Sequence, residues 1–158
     1  MHSTCRGFTL IELVVTLALL GVLAMLAAPM TEAAVQRSRE QALRESLREI
    51  RSAIDRYHAA VEQGRIARRL GEPGYPPTLD VLVEGVPDAQ DPKGGRMYFL
   101  RRLPRDPFFA DRSARPAATW GLRSYASPAD EPRDGDDVYD VYSTAAGTAL
   151  DGTAYREW

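Results

Sequence analysis

Hydrophobic and polar positions divide this chain into three stretches with different patterns. The first, residues 8–28, is a 21-residue run of almost entirely apolar sequence that holds one carboxylate, Glu12. At about 1.5 Å of rise per residue, a helix of this length spans roughly the hydrocarbon core of a bilayer. A secretory signal has a shorter apolar region behind a basic start. The run therefore predicts a transmembrane helix that the protein retains.

The second stretch, beyond Pro29, is polar but keeps a helical spacing of apolar residues. They recur every three or four positions, as in a helix that buries one face: Leu43, Leu47, Ile50, Ile54, Tyr57 and Val61. The charged residues between them are expected on the solvated face: Glu40, Arg44, Glu45, Glu49, Arg51 and Asp55. The stripe is either a coiled-coil seam or the seat of a globular domain. We favour the domain, because the stripe covers only about three heptads.

The second stretch is expected to form a helix over residues 32–69 that continues the apolar segment, since glycines and prolines after residue 70 cannot extend it. The third stretch, from residue 78 onwards, predicts short elements. Residues 78–83 read as a short helix capped by Thr78, and residues 96–100 as a first extended segment. Residues 119–127 and 138–143 are rich in Trp, Tyr, Leu and Val and predict strands. We expect an α+β fold in which a long N-terminal helix packs against a small antiparallel sheet.

Glu12 is the most informative single residue. An ionised carboxylate inside hydrocarbon costs a few kcal/mol, so such a residue usually has a partner or a function. The alternative is that Glu12, which lies four residues after Phe8, reaches the water at the membrane interface. The residues around it favour a partner.

Residues 7–15, with the sequence GFTLIELVV, resemble the processing site of the type IV pilin and type II secretion pseudopilin superfamily. The resemblance implies that a prepilin peptidase cleaves between Gly7 and Phe8 and methylates the new amine of Phe8. It also implies that the Glu12 carboxylate pairs with the N-terminal amine of a neighbouring subunit during assembly. Such a pairing would relieve the acid in hydrocarbon.

The same resemblance implies a pilin-like organisation in three parts. Residues 1–7 would be a cleaved leader, residues 8–28 a transmembrane and assembly helix, and residues 29–158 a periplasmic domain that includes the distal half of the long helix. Arg6 precedes the apolar run, and the positive-inside bias then keeps the short end cytoplasmic. The implied location is the inner membrane, with a single pass.

Gly21 and Pro29 stand where the family places a helix-weakening glycine and proline. Proline lacks an N–H group and clashes with the preceding turn, so we expect Pro29 to kink or open the helix locally. The alternative is that Pro29 marks only the membrane exit.

Later motifs resemble the secretion branch of the superfamily. Residues 103–109, LPRDPFF, are similar to its Leu-Pro-x-Asp-Pro signature, and residues 138–143, VYDVYS, with Trp158 resemble its last strand and C-terminal loop. The alternative for Asp106 and Pro107 is an ordinary turn. The resemblance implies a pseudopilin subunit of a periplasmic helical filament that drives type II secretion.

The implied partners are copies of the chain itself, minor pseudopilins, the assembly platform protein with its ATPase, and the prepilin peptidase. The alternative function is that of a pilin or minor pilin of a surface type IV pilus, which shares the N-terminal motif. The absence of a C-terminal cysteine pair, together with Trp158 and the LPRDPFF motif, favours secretion.

Composition argues against other classes of function. The formal charge is −2 and the arginines are scattered among acids, so nothing indicates a nucleic-acid partner. Without the leader, His58 is the only histidine and no cysteine remains. No phosphate-binding loop, nucleophile elbow or metalloprotease helix is present. We therefore expect no enzyme, and we expect His58 to be a packing or surface residue.

Calcium enters only through the resemblance, because the major subunit of the secretion branch commonly binds it in the loop after the last strand. Calcium takes six to eight oxygen ligands. Residues 144–156 offer Asp151 as their one carboxylate, and the acidic run 130–137 precedes the last strand and lacks the spacing of an EF-hand. That run is expected to be a solvated turn. We expect no cofactor and assign no metal ligands.

Overall fold

The computed structural model describes residues 7–68 and 71–158, without the side chains of residues 25–31. All of the predicted leader except its last glycine lies outside the described residues. The chain divides into two compact units, Met1–Ser38 and Arg39–Trp158.

The dominant element is helix α1, Leu10–Glu62. The expectation that one helix joins the apolar run to the amphipathic stretch is confirmed. The backbone stays helical through Gly21 and Pro29, and their weakening of the helix remains a prediction. Among the described residues, no helix has both the length and the apolar character needed to cross a bilayer.

The C-terminal end of α1 comes earlier than the expected residue 69, and a glycine explains why. Gly64 has a φ of +70°, a left-handed conformation that glycine adopts without a steric penalty. Its N–H donates to the carbonyl of Val61 at 2.9 Å, and the N–H of Arg65 donates to the carbonyl of Ala60 at 2.9 Å. These two bonds form a Schellman motif, which ends a helix. The predicted helix end at residue 69 was wrong because it did not take Gly64 into account.

The predicted apolar stripe of α1 lies in the core of the second unit. Its six members are between 0 and 7% exposed, and each such side chain contributes about 1.5–3 kcal/mol when fully buried. They share one cluster with buried residues from later in the chain, including Leu79, Leu82, Trp120, Val138 and Val141. The interpretation of the stripe as the seat of a globular domain is confirmed.

A short helix, α2, follows at Val81–Glu84, so the helix expected over residues 78–83 exists but begins later. The predicted cap at Thr78 was wrong, because Asp80 occupies the N-cap position and makes no side-chain capping bond. Leu82 is completely buried, and its carbonyl accepts hydrogen bonds from the N–H groups of Phe99 and Leu100. Burial of this leucine and its two hydrogen bonds therefore fix the position of α2.

Two small antiparallel sheets complete the unit. Strands β1, Val86–Pro87, and β2, Arg96–Met97, form one pair, which confirms only the start of the extended segment predicted over residues 96–100. Strands β3, Trp120–Arg123, and β4, Asp140–Ser143, form the other. Both strands lie within the predicted segments and are shorter. The α+β class, with a helix packed against antiparallel strands, is confirmed.

Short 3-10 turns flank the second sheet. One, Pro116–Thr119, leads directly into β3, and another, Tyr155–Glu157, lies near the end of the chain. In the larger sheet Trp120 is opposite Ser143, and Arg123 is opposite Asp140. This register brings the C-terminal segment back to the part of α1 that belongs to the second unit.

Candidate functional site

The predicted processing site lies in non-helical backbone directly before α1. Residues 7–9 have no regular secondary structure. The Phe8 side chain is 85% exposed, and a Cβ added at Gly7 would meet no atom within 4 Å. A peptidase requires an accessible, extended segment, and the described residues leave this one open.

Glu12 contacts Thr9 in the capping arrangement of α1. The Thr9 N–H and hydroxyl donate to Oε2 of Glu12 at 3.0 and 2.9 Å, and the Glu12 N–H donates to the Thr9 hydroxyl at 3.3 Å. This reciprocal pattern is a capping box, Thr-x-x-Glu, which satisfies N–H groups at the start of a helix. Oε1 accepts no hydrogen bond from any described residue. The second oxygen is thus available to a partner.

The surface around Glu12 is apolar and exposed on every side of the helix. A helix that is hydrophobic all round requires burial by lipid or by other helices. The large apolar side chains of this segment are between 49 and 85% exposed in the single chain: Phe8, Leu10, Ile11, Leu13, Val14, Val15, Leu17, Leu19, Leu20, Val22 and Leu23. These described side chains of the first unit therefore form an exposed apolar surface.

The Leu-Pro-x-Asp-Pro segment forms a buried polar junction in the second unit. Asp106 is 3% exposed; its Oδ2 accepts from the Ser143 hydroxyl at 2.5 Å, and its Oδ1 accepts from the Phe108 N–H at 2.8 Å. Its own N–H donates to the Thr119 hydroxyl at 3.1 Å. Asp106 therefore joins its loop to β4 and to the 3-10 turn before β3. The reading of this motif as an ordinary turn understates its role.

The acidic run over residues 130–137 is mostly exposed, as predicted, but its last residue differs. Asp137 is 6% exposed and accepts hydrogen bonds from the Ser124 hydroxyl and from the Tyr125 N–H. A carboxylate that caps a neighbouring turn in this way is structural. The prediction of a wholly solvated turn was wrong at Asp137. Within the described part of the chain, no group of three or more His, Cys, Asp or Glu is placed to hold a metal ion.

Two residues expected on the solvated face of α1 are engaged in the fold. Glu40 is 8% exposed and accepts from the N–H of Leu150 and the hydroxyl of Tyr155. Arg51 donates to Asp140 at 2.7 Å. The charged face is therefore only partly solvated, because the C-terminal segment covers it. His58 stacks on Tyr75 with ring centroids 4.4 Å apart, which confirms its role as a packing residue.

Comparison with known proteins identifies the class of the chain. A family model described as the prokaryotic N-terminal methylation motif matches residues 2–28. The chain is 34% identical over 113 residues to the type II secretion system core protein G of Klebsiella pneumoniae, which covers 67% of this chain and 71% of that protein. The chain belongs to the type II secretion system core protein G family.

Two further proteins of the same name support this membership. That of Dickeya chrysanthemi is 31% identical over 115 residues, covering 70% of this chain and 68% of the other. That of Klebsiella michiganensis is 29% identical over 110 residues, covering 67% and 70%. No solved structure matches the chain. The family resemblance read from the N-terminal motif is confirmed, whereas the roles of individual residues stay predictions.

In this core protein G homologue the predicted site residues fall into two groups. Gly7, Phe8 and Glu12 lie within a single short segment at the start of α1, whereas Gly21 and Pro29 lie farther along the helix. Sequence reasoning missed Thr9, although the Thr-x-x-Glu spacing before an apolar run is itself a capping-box signature.

Proposed function

We propose that this chain is a pseudopilin subunit that assembles into a periplasmic helical filament and drives type II protein secretion. One observation carries the proposal: the start of α1 exposes apolar side chains on every face and holds a single carboxylate, Glu12, with one oxygen open. The relatives that share two thirds of the chain are named for the core protein G of that secretion system. Residues 8–28 would bury this surface first in the inner membrane and then among the helices of neighbouring subunits.

Processing precedes assembly in this proposal. Prepilin peptidase would cleave between Gly7 and Phe8 and methylate the amine of Phe8. The exposed, non-helical backbone of residues 7–9 supports this step. Cleavage would leave a cationic amine four residues before Glu12, at the tip of each mature subunit.

Assembly would then pair opposite charges between subunits. The open Oε1 of Glu12 would accept the amine of Phe8 from the adjacent copy. A carboxylate in hydrocarbon costs a few kcal/mol on insertion scales, so the pairing favours subunits docked in register over subunits dispersed in lipid. Thr9 would hold the other oxygen and fix the direction of the carboxylate.

The remaining parts follow from this role. Residues 29–158 would form the periplasmic domain, and the membrane run 8–28 would cross the inner membrane once, with Arg6 on the cytoplasmic side. The partners would be further copies of the chain, minor pseudopilins, the assembly platform protein with its ATPase, and the prepilin peptidase. The chain would have no enzymatic activity, consistent with a structural filament subunit.

The decisive experiment replaces Glu12 and follows processing and assembly separately in cells that carry the secretion system. Glu12→Ala removes the acid, and Glu12→Gln keeps its shape without its charge. Glu32→Ala is the matched control, because Glu32 is an exposed glutamate on the same helix. Mass spectrometry measures the N-terminus, and sheared filaments and secreted protein measure assembly.

We expect all three variants to begin at a methylated Phe8. Filaments and secretion should be lost in both Glu12 variants and kept in Glu32→Ala. Normal filaments from Glu12→Gln would show that the negative charge is dispensable, and the pairing would then be wrong. A mature chain that retains residues 1–7 in functional filaments would refute the whole proposal.

A further inference from the structure

Three side chains of α1 hold the C-terminal segment of the second unit, which we call the C-terminal loop (residues 144–158). Glu40 is the first. Its Oε1 accepts from the N–H of Leu150 at 3.0 Å and from the hydroxyl of Tyr155 at 3.1 Å, and the residue is 8% exposed. A nearly buried carboxylate with two donors fixes the middle of the loop, at Leu150, and its last part, at Tyr155, to the helix.

Arg44, one turn later, contacts the loop in two ways. Its Nη2 donates to Oδ2 of Asp151 at 3.1 Å, and its guanidinium lies 4.1 Å from the centroid of the Trp158 ring. The planar guanidinium suits both a carboxylate and an aromatic face. Arg44 therefore joins the middle of the loop to its end.

Arg51 fixes the end of the loop to strand β4. It donates to Oδ1 of Asp140 at 2.7 Å, to the carbonyl of Val141 at 3.0 Å and to the carbonyl of Trp158 at 2.6 Å. One half-buried guanidinium thus satisfies three acceptors on two segments. Removing it would take one donor from each of these acceptors, although Oδ1 of Asp140 would keep the N–H of Val141.

The oxygen atoms around the loop do not form a ligand set that fits a calcium ion. Calcium requires six to eight oxygens, usually with several carboxylates. Both oxygens of Asp151 are already used, since Oδ1 accepts from the N–H and hydroxyl of Thr153 at 3.0 and 2.6 Å, and Oδ2 accepts from Arg44. The guanidinium would repel a divalent cation at this carboxylate. The calcium that the family resemblance implies therefore has no matching set of ligands here.

We propose that Arg44, together with Glu40 and Arg51, orders the C-terminal loop in place of calcium, so that the folding of this loop is independent of the metal. The cationic guanidinium of Arg44 neutralises Asp151 and packs against Trp158, and thereby supplies both the charge and the cross-link that a bound ion would supply. This arrangement is internal to one subunit, and its test reads folding instead of secretion.

The first arm of the test uses the full-length wild-type chain purified in detergent. Thermal unfolding and amide hydrogen exchange are measured with excess EDTA and with millimolar CaCl2. We expect the same Tm and the same exchange rates of the loop amides in both. A higher Tm or slower loop exchange with CaCl2 would overturn the proposal.

The second arm compares Arg44→Ala with Arg48→Ala. Arg48 is one turn farther along α1, its side chain is 74% exposed, and its ion-pair partner is the exposed Glu45, so it is a matched control. We expect exchange of the Gly152 and Thr153 amides to be at least about fivefold faster in Arg44→Ala, as for the loss of one net hydrogen-bonding interaction, and unchanged in Arg48→Ala.

Arg44→Lys separates charge from shape, because lysine keeps the cation but lacks the planar fork. We expect it to restore loop protection in part, and this variant also serves if Arg44→Ala fails to fold. Equal loop exchange in wild type, Arg44→Ala and Arg44→Lys would show that Arg44 does not order the loop. Calcium protection in the wild type would refute the proposal whatever the variants do.

Discussion

Asp106 offers the sharpest test of how the second unit is held together. Asp106→Ala removes a carboxylate that is 3% exposed and accepts hydrogen bonds from the Ser143 hydroxyl and the Phe108 N–H. Both donors would remain in place without an acceptor. A buried donor left unsatisfied costs its full desolvation penalty, which exceeds the net value of an ordinary hydrogen bond.

The size of the effect follows from the two bonds. A hydrogen bond to a charged group contributes about 1.5–3 kcal/mol, so the loss of both gives about 3–6 kcal/mol. A cooperative unit the size of Arg39–Trp158 has an unfolding entropy that converts 1 kcal/mol into about 4 °C of Tm. We therefore expect the Tm to fall by about 12–24 °C. Asp106→Asn should fall between wild type and alanine, because its amide keeps one acceptor and adds a donor.

The assay is thermal unfolding of the full-length chain in detergent, monitored by calorimetry and by tryptophan fluorescence. Trp120 is a suitable reporter, because its indole Nε1 donates to the carbonyl of Pro104 at 2.9 Å, close to Asp106. Asp111→Ala is the matched control: Asp111 accepts from the N–H and hydroxyl of Ser113 but is exposed. Its Tm shift should be much smaller. If the two alanine variants lost equal stability, burial of the Asp106 bonds would not be the cause.

Two further predictions concern loops of the second unit. Hydrogen bonds from Arg65 lower the pKa of Asp88 in the folded protein below its ordinary value of 3.8, so the pair stabilises the fold above the unfolded-state pKa and this stabilisation is lost as the pH falls through the folded-state pKa. Asp88→Asn should therefore flatten the loss of Tm below about pH 4. An unchanged dependence of Tm on acidic pH would exclude this pair as the cause. Gly85 and Gly94 both have a positive φ, +75° and +72°, but an added Cβ would lie 2.9 Å from the carbonyl oxygen of Met97 at Gly85 and would meet no atom within 4 Å at Gly94. Gly85→Ala should therefore lower the Tm by several degrees more than Gly94→Ala, for an extra cost of about 1–2 kcal/mol. Equal Tm shifts would show that the close contact at Gly85 relaxes freely.

The sequence predicts best what local periodicity encodes. The apolar stripe of α1 has a spacing that only a helix places on one face, and all six members are buried. Strands β3 and β4 also lie within their predicted segments, because β-branched and aromatic residues favour a pleated, half-buried surface. Strand β1 has only two residues, which is too short for any alternation to be visible.

Element ends were harder because they depend on single residues. Gly64 stops α1 through its left-handed conformation, yet one glycine within a polar stretch is a weaker signal than the glycine and proline cluster that follows. At the other end, Thr9 and Glu12 form a capping box. The Thr-x-x-Glu spacing could have predicted this capping box, whereas the family resemblance pointed only to a partner for Glu12 in another subunit.

Functional and structural side chains can likewise be predicted where the motif is local and cannot where the partners are distant in sequence. The N-terminal motif is contiguous, so the sequence alone predicts that Gly7, Phe8 and Glu12 form one functional segment. Glu40 and Arg51 are different, because their partners lie 110 and 89 residues away along the chain. Helical spacing assigns them to the solvated face, and nothing local reveals the loop that covers it.

Glu12 and Glu40 show how the surroundings decide the role of the same side chain on one helix. Glu40 is nearly buried and accepts hydrogen bonds from Leu150 and Tyr155 of its own chain, so its charge is satisfied before any subunit docks. Glu12 is exposed among apolar side chains and its local donors come from Thr9 and engage only Oε2. A second chain can therefore gain electrostatic energy at Glu12 that it cannot gain at Glu40. For this reason substitution of Glu40 should lower the folding stability of the subunit, whereas substitution of Glu12 should leave the subunit folded and act on the filament.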